Sequence, residues 1–482
     1  MREVRTRYAP SPTGYMHIGN LKAAMNEYLV AKSLGGKFIL RIEDTDEKRL
    51  VEGAVDVVYR TLRLTGLLHD EGPDIGGGFG PYVQSERRSL YMDFAKQLVS
   101  AGKAYYCFCS RERLETLVKD KAEDAVKYDR HCLKLSHEEI ERRIFAGEPF
   151  VIRQLIPEGK SSFHDEVYGD IRMDNSELDD QILMKSDGFP TYNFANVIDD
   201  HLMKITHVVR GAEYLSSTPK YNLLYEAFDW EIPVYIHGPL LLNEKGEKIS
   251  KRRGDASIDD LLGKGFLPET IVNYTALLGW SPEDNREFFT LDELVKVFKI
   301  SGLSKSPASV DLKKMAWMNS EYIKKMDSEK FYLWVEPVLK QAVKCGVNLK
   351  KVSEMVQTRI ELPSDIFELV DFVDNLPEYE IALYENKKMK TDLQNSGEAL
   401  EKALEVLAEL PAKDYVNSLV YEALLQKITR LGIKNSQMLW PVRTALSGKP
   451  STPCGATEIA ELLGKEETLI RIKKGIEKLR TK

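Results

Sequence analysis

The feature that most constrains the fold is the stretch from Arg7 to Asn20, which places a strand, a turn and a helix start within a few residues. Two prolines and a glycine end the strand-like run, and apolar residues recur at helical spacing after Asn20. The strand is therefore expected to lead into a helix N-terminus, where free N–H groups and the helix dipole attract anions. Because His17 and Gly19 lie at this junction, the stretch predicts a phosphate-binding turn. A tight turn whose polar side chains satisfy only local backbone groups is an equally open interpretation.

The segments that follow alternate between strand and helix patterns. A short apolar strand ends at Glu43, helices are predicted at 51–67 and 89–101, and further strands at 207–210 and 233–237. This alternation predicts an α/β domain with a parallel sheet and right-handed crossovers. In such sheets ligands bind at the carboxyl ends of the strands, which is where Glu43 is expected to lie.

Two other regions depart from the α/β pattern. Short mixed segments at about 105–180 predict an α+β insertion, and the region from about 328 to the end has an almost wholly helical period. Pro363, Pro377, Pro411 and Pro441 are expected to separate the helices of that region.

No apolar run is long enough to cross a bilayer and the N-terminus carries no signal-like segment, so we expect a cytoplasmic protein without membrane contact. Since the formal net charge is −7, any nucleic-acid contact must depend on local basic patches.

A cysteine cluster lies in the predicted insertion. Cys107, Cys109 and Cys132 fall close together, whereas the chain has five cysteines in all. In a cytosolic chain this grouping favours metal binding over a disulfide, with Tyr128 and His131 as two possible fourth ligands. Three reduced cysteines without metal are the alternative.

A second charged stretch, Lys248-Ile-Ser-Lys-Arg-Arg, lies in a glycine-bounded loop. Several cations on a loop suit the neutralisation of phosphate charge that develops in a transition state. A solvated surface is the alternative for such a charge run.

Together these two stretches resemble the signatures of class I aminoacyl-tRNA synthetases. His17-Ile-Gly-Asn is similar to their H-I-G-H motif, and Lys248-Ile-Ser-Lys-Arg is similar to their K-M-S-K-S loop. The segments that start at Arg7, Arg41, Gln84, Tyr192 and Trp440 resemble bacterial glutamyl-tRNA synthetases. The resemblance covers the whole chain and implies a split Rossmann-type catalytic domain followed by an all-α anticodon-binding region.

The resemblance also implies the reaction and its site. The expected reaction is ATP-dependent activation of L-glutamate to glutamyl-adenylate and transfer to the terminal adenosine of tRNA(Glu), with tRNA(Gln) as a further acceptor left open. Mg²⁺ is expected with ATP because it prefers oxygen ligands. The catalytic residues implied are His17, Lys248 and Lys251. The ATP contacts implied are His17, Gly19, Asn20, Glu213, Lys248, Ser250 and Lys251. The glutamate pocket implied comprises Arg7, Ala9, Ser11, Glu43, Tyr192, Asn196 and Arg210.

Within that pocket, the arginines suit a carboxylate because guanidinium offers a planar bidentate fork, and Glu43 suits the substrate ammonium. For zinc, the resemblance to glutamyl-queuosine tRNA synthetases makes Tyr128 the first choice of fourth ligand beside Cys107, Cys109 and Cys132, and His131 the second. The chain departs from the family at Lys134, where a histidine is expected, and at Asn20, which replaces the last histidine of the motif. An amide can still donate a hydrogen bond to phosphate but carries no charge.

The resemblance gives the expected domains and leaves rivals. The expected segments are 1–104 and 186–245 for the Rossmann-type domain, 105–185 for the acceptor-binding insertion, 246–325 for a stem-contact region and 326–482 for the anticodon-binding region. We expect a monomer that contacts tRNA through the insertion, the region after the lysine loop and the tail, where Arg443 is a candidate. The rivals are a glutamyl-queuosine enzyme, which lacks the tail, a glutaminyl-tRNA synthetase, whose tail is β-rich, a small nucleotidyltransferase and a tRNA-binding paralogue without activation.

Overall fold

The computed structural model describes residues 2–46, 50–119, 127–249 and 257–481. The chain divides into two compact units, of which the first comprises Met1–Leu262 and Pro268–Asp311 and the second Gly263–Leu267 and Leu312–Lys482. The strands are, in chain order, β1 (Arg5–Tyr8), β2 (Lys37–Leu40), β3 (Ala104–Cys107), β4 (Val151–Gln154), β5 (Lys160–Asp165), β6 (Gly169–Asp174), β7 (Ile182–Met184), β8 (His207–Gly211), β9 (Val234–Gly238), β10 (Leu241–Leu242) and β11 (Ala308–Ser309).

Ten helices begin in the first unit and eight in the second, counted over the described residues. Those of the first unit are α1 (Ile18–Ser33), α2 (Ala54–Thr65), α3 (Arg88–Ser100), α4 (Arg111–Lys119), α5 (His137–Phe145), α6 (Tyr192–Leu202), α7 (Thr218–Ala227), α8 (Ile258–Gly263), α9 (Pro268–Leu277) and α10 (Leu291–Val297). Those of the second are α11 (Leu312–Lys325), α12 (Ser328–Ala342), α13 (Leu349–Val356), α14 (Asp365–Asp374), α15 (Leu393–Glu409), α16 (Asn417–Leu431), α17 (Asn435–Ser447) and α18 (Ala456–Arg480).

A largely parallel sheet forms the centre of the first unit. Strand β1 pairs parallel with β2, and β8 pairs parallel with β9, which pairs parallel with β5. The Thr206 amide donates to the Arg5 carbonyl at 3.0 Å, which brings the start of β8 beside β1. Strand β6 adds an antiparallel edge through its hairpin with β5. The predicted α/β class with a parallel sheet is confirmed.

Helix α1 packs on this sheet and is buried on most of its surface, because α9 and α10 pack against it as well. Leu21, Ala24, Met25 and Leu29 are fully buried, as their helical spacing predicts. A separate antiparallel sheet, β3-β4-β7, belongs to the region between α3 and α6 and confirms the predicted α+β insertion.

The helices and strands of the second unit are, within the described residues, helices alone, and they surround a core of aliphatic and aromatic side chains from α11 to α18. One buried cation ties three of these helices together. Arg471 of α18 donates to the carbonyls of Phe372 and Val373 near the end of α14, and to that of Leu446 near the end of α17, at 2.7–3.1 Å. These are carbonyls that a helix end leaves without intrahelical partners, and the negative dipole end favours a cation there.

The prediction that all four prolines of this region separate helices is wrong at Pro441. Pro363, Pro377 and Pro411 lie between helices, whereas Pro441 lies inside α17. A proline there removes one backbone hydrogen bond, but packing keeps the helix continuous. Trp440 donates its Nε1–H to the Leu383 carbonyl at 2.9 Å, and Met438 and Val442, before and after the proline, are fully buried. Among the described helices, none combines the length and apolar character that crossing a membrane requires.

Candidate active site

The turn before α1 is closed by reciprocal hydrogen bonds. His17 is the N-cap, its Nδ1 accepts from the Asn20 amide at 3.2 Å, and its own amide donates to Asn20 Oδ1 at 3.3 Å. A neutral His17 ring therefore carries its proton on Nε2, the tautomer in which Nε2 donates. A Cβ at Gly19 would lie 2.9 Å from His17 Cε1, so any larger residue would displace the ring from this position.

The lysine loop is anchored at both of its ends. Ile249 donates to the Leu241 carbonyl at 3.2 Å, and Ser257 pairs with His17 as an isolated bridge. The chain thus enters the segment 250–256 from β10 and leaves it beside the His17 turn. Ser250 and Lys251, two of the predicted ATP contacts, lie outside the described residues.

Two other predicted ATP contacts, Lys248 and Glu213, form an ion pair. Lys248 Nζ lies 2.9 Å from Glu213 Oε1. Glu213 belongs to a short 3-10 helix at Ala212–Ser217, directly after β8. The structure therefore brings Lys248 to the carboxyl end of a central strand, the edge at which ligands bind in such sheets.

Arg7, at the carboxyl end of β1, is buried in a network of charges. Its Nε donates to Asp200 Oδ1 at 2.9 Å, and its Nη1 lies 3.7 Å from Glu27 Oε1. Burial acts to lower the pKa of Arg7, but the Asp200 and Glu27 carboxylates together outweigh it and raise the pKa further above its usual value. Arg7 therefore stays charged, with Asp200 fixing one edge of its guanidinium.

Glu43 lies in the same network, after β2. Its Oε1 accepts from Arg41 Nη2 at 3.1 Å, and its side chain is almost wholly buried. Burial raises the pKa of Glu43 to about 7, although the arginines Arg41 and Arg7 act against the rise. Its carboxyl group therefore changes charge near neutral pH, which a nearby cationic ligand would prevent by favouring the ionised form.

Arg210 lies at the end of β8 in a ring of aromatic faces. Its guanidinium carbon lies 4.6 Å from the ring centre of Tyr221, 5.2 Å from that of Tyr214 and 5.4 Å from that of Tyr235. Nη2 donates to Thr218 Oγ1 at 2.7 Å. These contacts hold a cation in a pocket of low polarity, where its attraction for a carboxylate is strong.

The remaining predicted pocket residues differ in exposure. Tyr192 is partly exposed at the start of α6, and its ring centre lies 5.9 Å from that of Tyr214. Asn196, one turn further on, is buried, and its Nδ2 has no hydrogen-bond partner among the described residues. Ala9 is half-buried and Ser11 is exposed on the turn after β1. An unpartnered buried amide is costly, which is consistent with a ligand that accepts from it.

Sequence reasoning missed the residues that hold the arginines. Asp200 Oδ1 also accepts from Arg41 Nη1 at 2.7 Å, and Asp199 Oδ1 accepts from Arg87 Nε at 2.7 Å. All four side chains are buried. The quoted segments that begin at Arg41, Gln84 and Tyr192 contain these residues, so paired acidic and basic residues within otherwise apolar segments were the available signal.

The cysteine cluster forms one compact site in the insertion. The Sγ atoms of Cys107, Cys109 and Cys132 lie within 4.8 Å of one another. The Tyr128 hydroxyl lies 3.3 Å from Cys107 Sγ and 3.2 Å from Cys109 Sγ, whereas His131 is exposed. Three sulfurs and one oxygen at these distances are a donor set that could surround a tetrahedral ion.

Known proteins match the chain over nearly all of its length. The model of the catalytic domain of class I tRNA synthetases (E and Q) matches residues 3–317, and an anticodon-binding domain model matches residues 329–476. The glutamate–tRNA ligase of Lachnoclostridium phytofermentans is 58% identical over 488 residues and covers 99% of both chains. That of Clostridium kluyveri is 55% identical over 483 residues and covers 100% of this chain and 99% of its own.

Solved structures give the same result for the fold. A glutamate tRNA ligase from Elizabethkingia meningosepticum, in complex with its amino acid, superposes with a TM-score of 0.86 at 33% identity and covers 99% of this chain and 100% of its own. The matching models, the full-length identity and the superposition agree with the sheet, the His17 turn and the helical second unit described above. This chain therefore belongs to the class I tRNA synthetases of the glutamate and glutamine group.

Proposed function

We propose that the chain activates L-glutamate with ATP and transfers it to the terminal adenosine of tRNA(Glu). Full-length relatives at 55–58% identity carry the name glutamate–tRNA ligase. The observation that carries the substrate assignment is the buried Arg210 guanidinium at the carboxyl end of β8, held among the rings of three tyrosines. An arginine in such a pocket favours a carboxylate over a neutral group.

Activation joins the substrate α-carboxylate to the α-phosphate of ATP, and pyrophosphate leaves. This reaction needs positioning and charge stabilisation more than a covalent nucleophile. His17 donates from Nε2 at the helix N-terminus, and Lys248 and Lys251 neutralise phosphate charge from the opposite loop. Glu213 contacts ATP after release from Lys248.

The glutamate pocket orients the substrate by charge. Arg210 binds the side-chain carboxylate with the support of Arg7, and Glu43 binds the ammonium, so opposite charges meet opposite ends of the ligand. Tyr192, Asn196, Ser11 and the backbone at Ala9 complete the pocket. Mg²⁺ accompanies ATP in this proposal and supplies charge neutralisation at the phosphates.

Zinc is proposed for the insertion because the donor set fits it. Cys107, Cys109 and Cys132 supply three sulfurs, and the Tyr128 hydroxyl within 3.3 Å of two of them is the favoured fourth donor. When bound, zinc would cross-link β3 to the segment at 128–132 and so give the insertion a fixed shape for the acceptor end of tRNA.

The second unit is proposed to read the anticodon. Arg443 stacks on Trp440, with its guanidinium carbon 4.4 Å from the ring centre, and lies in a cleft that also contains Arg359. Stacked aromatic and guanidinium groups suit the unstacked bases of a single-stranded loop. We further propose a cytoplasmic monomer and retain the five segments 1–104, 105–185, 186–245, 246–325 and 326–482 as its functional division.

Aminoacylation of purified tRNA(Glu) and tRNA(Gln) with labelled glutamate tests the activity and decides the acceptor range. Lys251→Ala should lower charging by about two orders of magnitude or more, since it removes a cation from the transition state. Lys245→Ala, an exposed lysine of the same loop, is the matched control and should leave the rate unchanged. Charging of neither tRNA would instead support a tRNA-binding paralogue.

Arg210→Ala tests the pocket. It should raise the KM for glutamate by roughly 100-fold, because a buried charge partner of the substrate is lost. The KM for ATP, measured in the same samples, should stay within about twofold. An unchanged KM for glutamate would contradict the assignment of Arg210.

A further inference from the structure

Arg210 is the end of a buried chain of hydrogen bonds that crosses three strands. Its Nε donates to His237 Nε2 on β9 at 3.0 Å, and His237 Nδ1 lies 2.6 Å from Asp165 Oδ2 at the end of β5. His237 and Asp165 are both 0% exposed, and Arg210 is 9% exposed. Neither Asp165 nor His237 lines the proposed substrate pocket, so their influence on the ligand must pass through Arg210.

The chemistry of the three groups fixes the proton of the imidazole. An arginine N–H can only donate, so His237 Nε2 must accept, and His237 Nδ1 must carry the proton that it donates to Asp165. Burial lowers the pKa of His237, and the nearby charge of Arg210 acts in the same direction, although Asp165 opposes them. His237 is therefore neutral at physiological pH with a single tautomer.

Asp165 is itself held rigidly by the backbone. Its Oδ1 accepts from the amides of Val167 and Tyr168 at 3.0 and 2.8 Å, and its Oδ2 accepts from the His237 amide at 3.2 Å. Burial acts to raise the pKa of Asp165, but the hydrogen bonds from His237 and Tyr168 outweigh it and lower the pKa. The carboxylate therefore stays ionised and cannot turn away from the imidazole.

At the other end, two of the five N–H donors of Arg210 bind side chains within the described residues. Nε donates to His237 and one Nη2 hydrogen donates to Thr218, while Thr218 in turn donates to the Tyr214 carbonyl at 2.9 Å. The hydrogens that remain lie along the Nη1 and Nη2 edge, which is the fork that pairs with a carboxylate. The position of that fork depends on the acceptor at His237 Nε2.

We propose that Asp165 and His237 are positioning residues for substrate recognition, which set the acceptor state of the imidazole so that Arg210 presents its fork to the side-chain carboxylate of the amino acid. The inference rests on the proposed function, because it takes Arg210 as the carboxylate ligand. The proposal adds that the preference for glutamate over glutamine depends on the tautomer of His237, a residue that does not contact the substrate.

Asp165→Asn tests this directly, because it replaces the acceptor Oδ2 with an amide donor. The two amides that bind Oδ1 keep the carboxamide oxygen on their side, so the new NH₂ group faces His237 Nδ1 and no longer accepts the 3.2 Å hydrogen bond from the His237 amide. The imidazole must then accept at Nδ1 and carry its proton on Nε2, opposite the Arg210 N–H. We expect the KM for glutamate to rise about tenfold or more and the preference for glutamate over glutamine in kcat/KM to fall, with kcat and the KM for ATP within about twofold.

A matched control lies on the same hairpin. Asp170 Oδ1 accepts from His164 Nδ1 at 2.7 Å, but both side chains are exposed and neither contacts Arg210. Asp170→Asn should therefore leave the KM for glutamate unchanged. Nitrogen-15 spectra of histidine-labelled protein should show the Nδ1-protonated ring in the wild type and the Nε2-protonated ring in D165N.

A second pair of variants covers the case in which D165N does not fold. His237→Gln keeps an acceptor within reach of Arg210 Nε and should hold the KM for glutamate within a few-fold, whereas His237→Met lacks one and should raise it about tenfold or more. A folded D165N with an inverted tautomer and a normal KM would overturn the proposal, as would equal KM values for H237Q and H237M. If Arg210→Ala also leaves the KM unchanged, the pocket assignment fails instead.

Discussion

Replacement of Glu43 by glutamine should remove a pH dependence from glutamate binding. Glu43 is buried beside Arg41, and burial raises the pKa of its carboxyl group to about 7. A neutral carboxyl group cannot pair with the substrate ammonium, so each binding event below the pKa must first release a proton. The KM for glutamate should therefore fall as the pH rises through 7 and level off above it.

The size of the effect follows from the fraction of ionised Glu43. With a pKa of about 7, roughly 9% of the protein has the carboxylate at pH 6 and roughly 91% at pH 8, so the KM should be about tenfold higher at pH 6. In Glu43→Gln the KM should be flat over this range. It should also be roughly 100-fold above the wild-type value at pH 8, because one partner of a buried charge pair is gone.

ATP–pyrophosphate exchange in the presence of tRNA, at saturating ATP and varied glutamate, measures this dependence. The free substrate does not interfere, because the glutamate side chain titrates near 4.3. Glu52→Gln, an exposed carboxylate of the loop before α2, is the matched control and should keep the wild-type profile. A flat profile in the wild type would refute the reasoning. If E43Q shows the same pH dependence as the wild type, the titrating group is a different one. Glu27 is then the first candidate, since burial raises the pKa of Glu27 as well.

Three further changes test the metal site and the two buried networks. Tyr128→Phe should weaken zinc binding about tenfold or more in a chelator competition, and His131→Ala should not. Absence of zinc from the purified wild type would contradict both expectations. Asp200→Asn leaves two buried arginines short of a partner and should cost about 3–5 kcal/mol in urea unfolding, against almost nothing for the exposed Asp170→Asn. A loss below about 1 kcal/mol would show that the arginines find other partners. Arg471→Met removes three carbonyl contacts and should lower the free energy of unfolding of the second unit by about 3–5 kcal/mol. In calorimetry the transition of the second unit should move to lower temperature, whereas that of the first unit should not.

The regular elements were predictable because they depend on local periodicity. The apolar spacing after Asn20 gave α1, and the short apolar runs gave β8 and β9 within a residue or two of their observed bounds. The continuation of α17 through Pro441 was not predictable, because the packing that keeps this helix continuous comes from Trp440 and from residues distant in the chain. Tertiary contacts there stabilise the helix by more than the proline destabilises it.

The site was predictable only in part, for the same reason. Motif residues such as His17 and Arg210 were identified by resemblance, but their supporting partners are far away in sequence. Arg7 meets Asp200 across 193 residues, and His237 meets Asp165 across 72. No rule of sequence spacing predicts such pairs, since the order of strands in the sheet decides which strand ends become neighbours.

Under the function proposed above, the ion pair between Lys248 and Glu213 has a consequence for ATP binding. Both side chains are partly exposed, 57% and 37%, so water and salt screen the pair and it contributes little to stability. In that proposal, Glu213 is the counter-anion of Lys248 until a phosphate of ATP replaces it. The affinity for ATP is then a difference between two ion pairs, and raised ionic strength weakens both of them together.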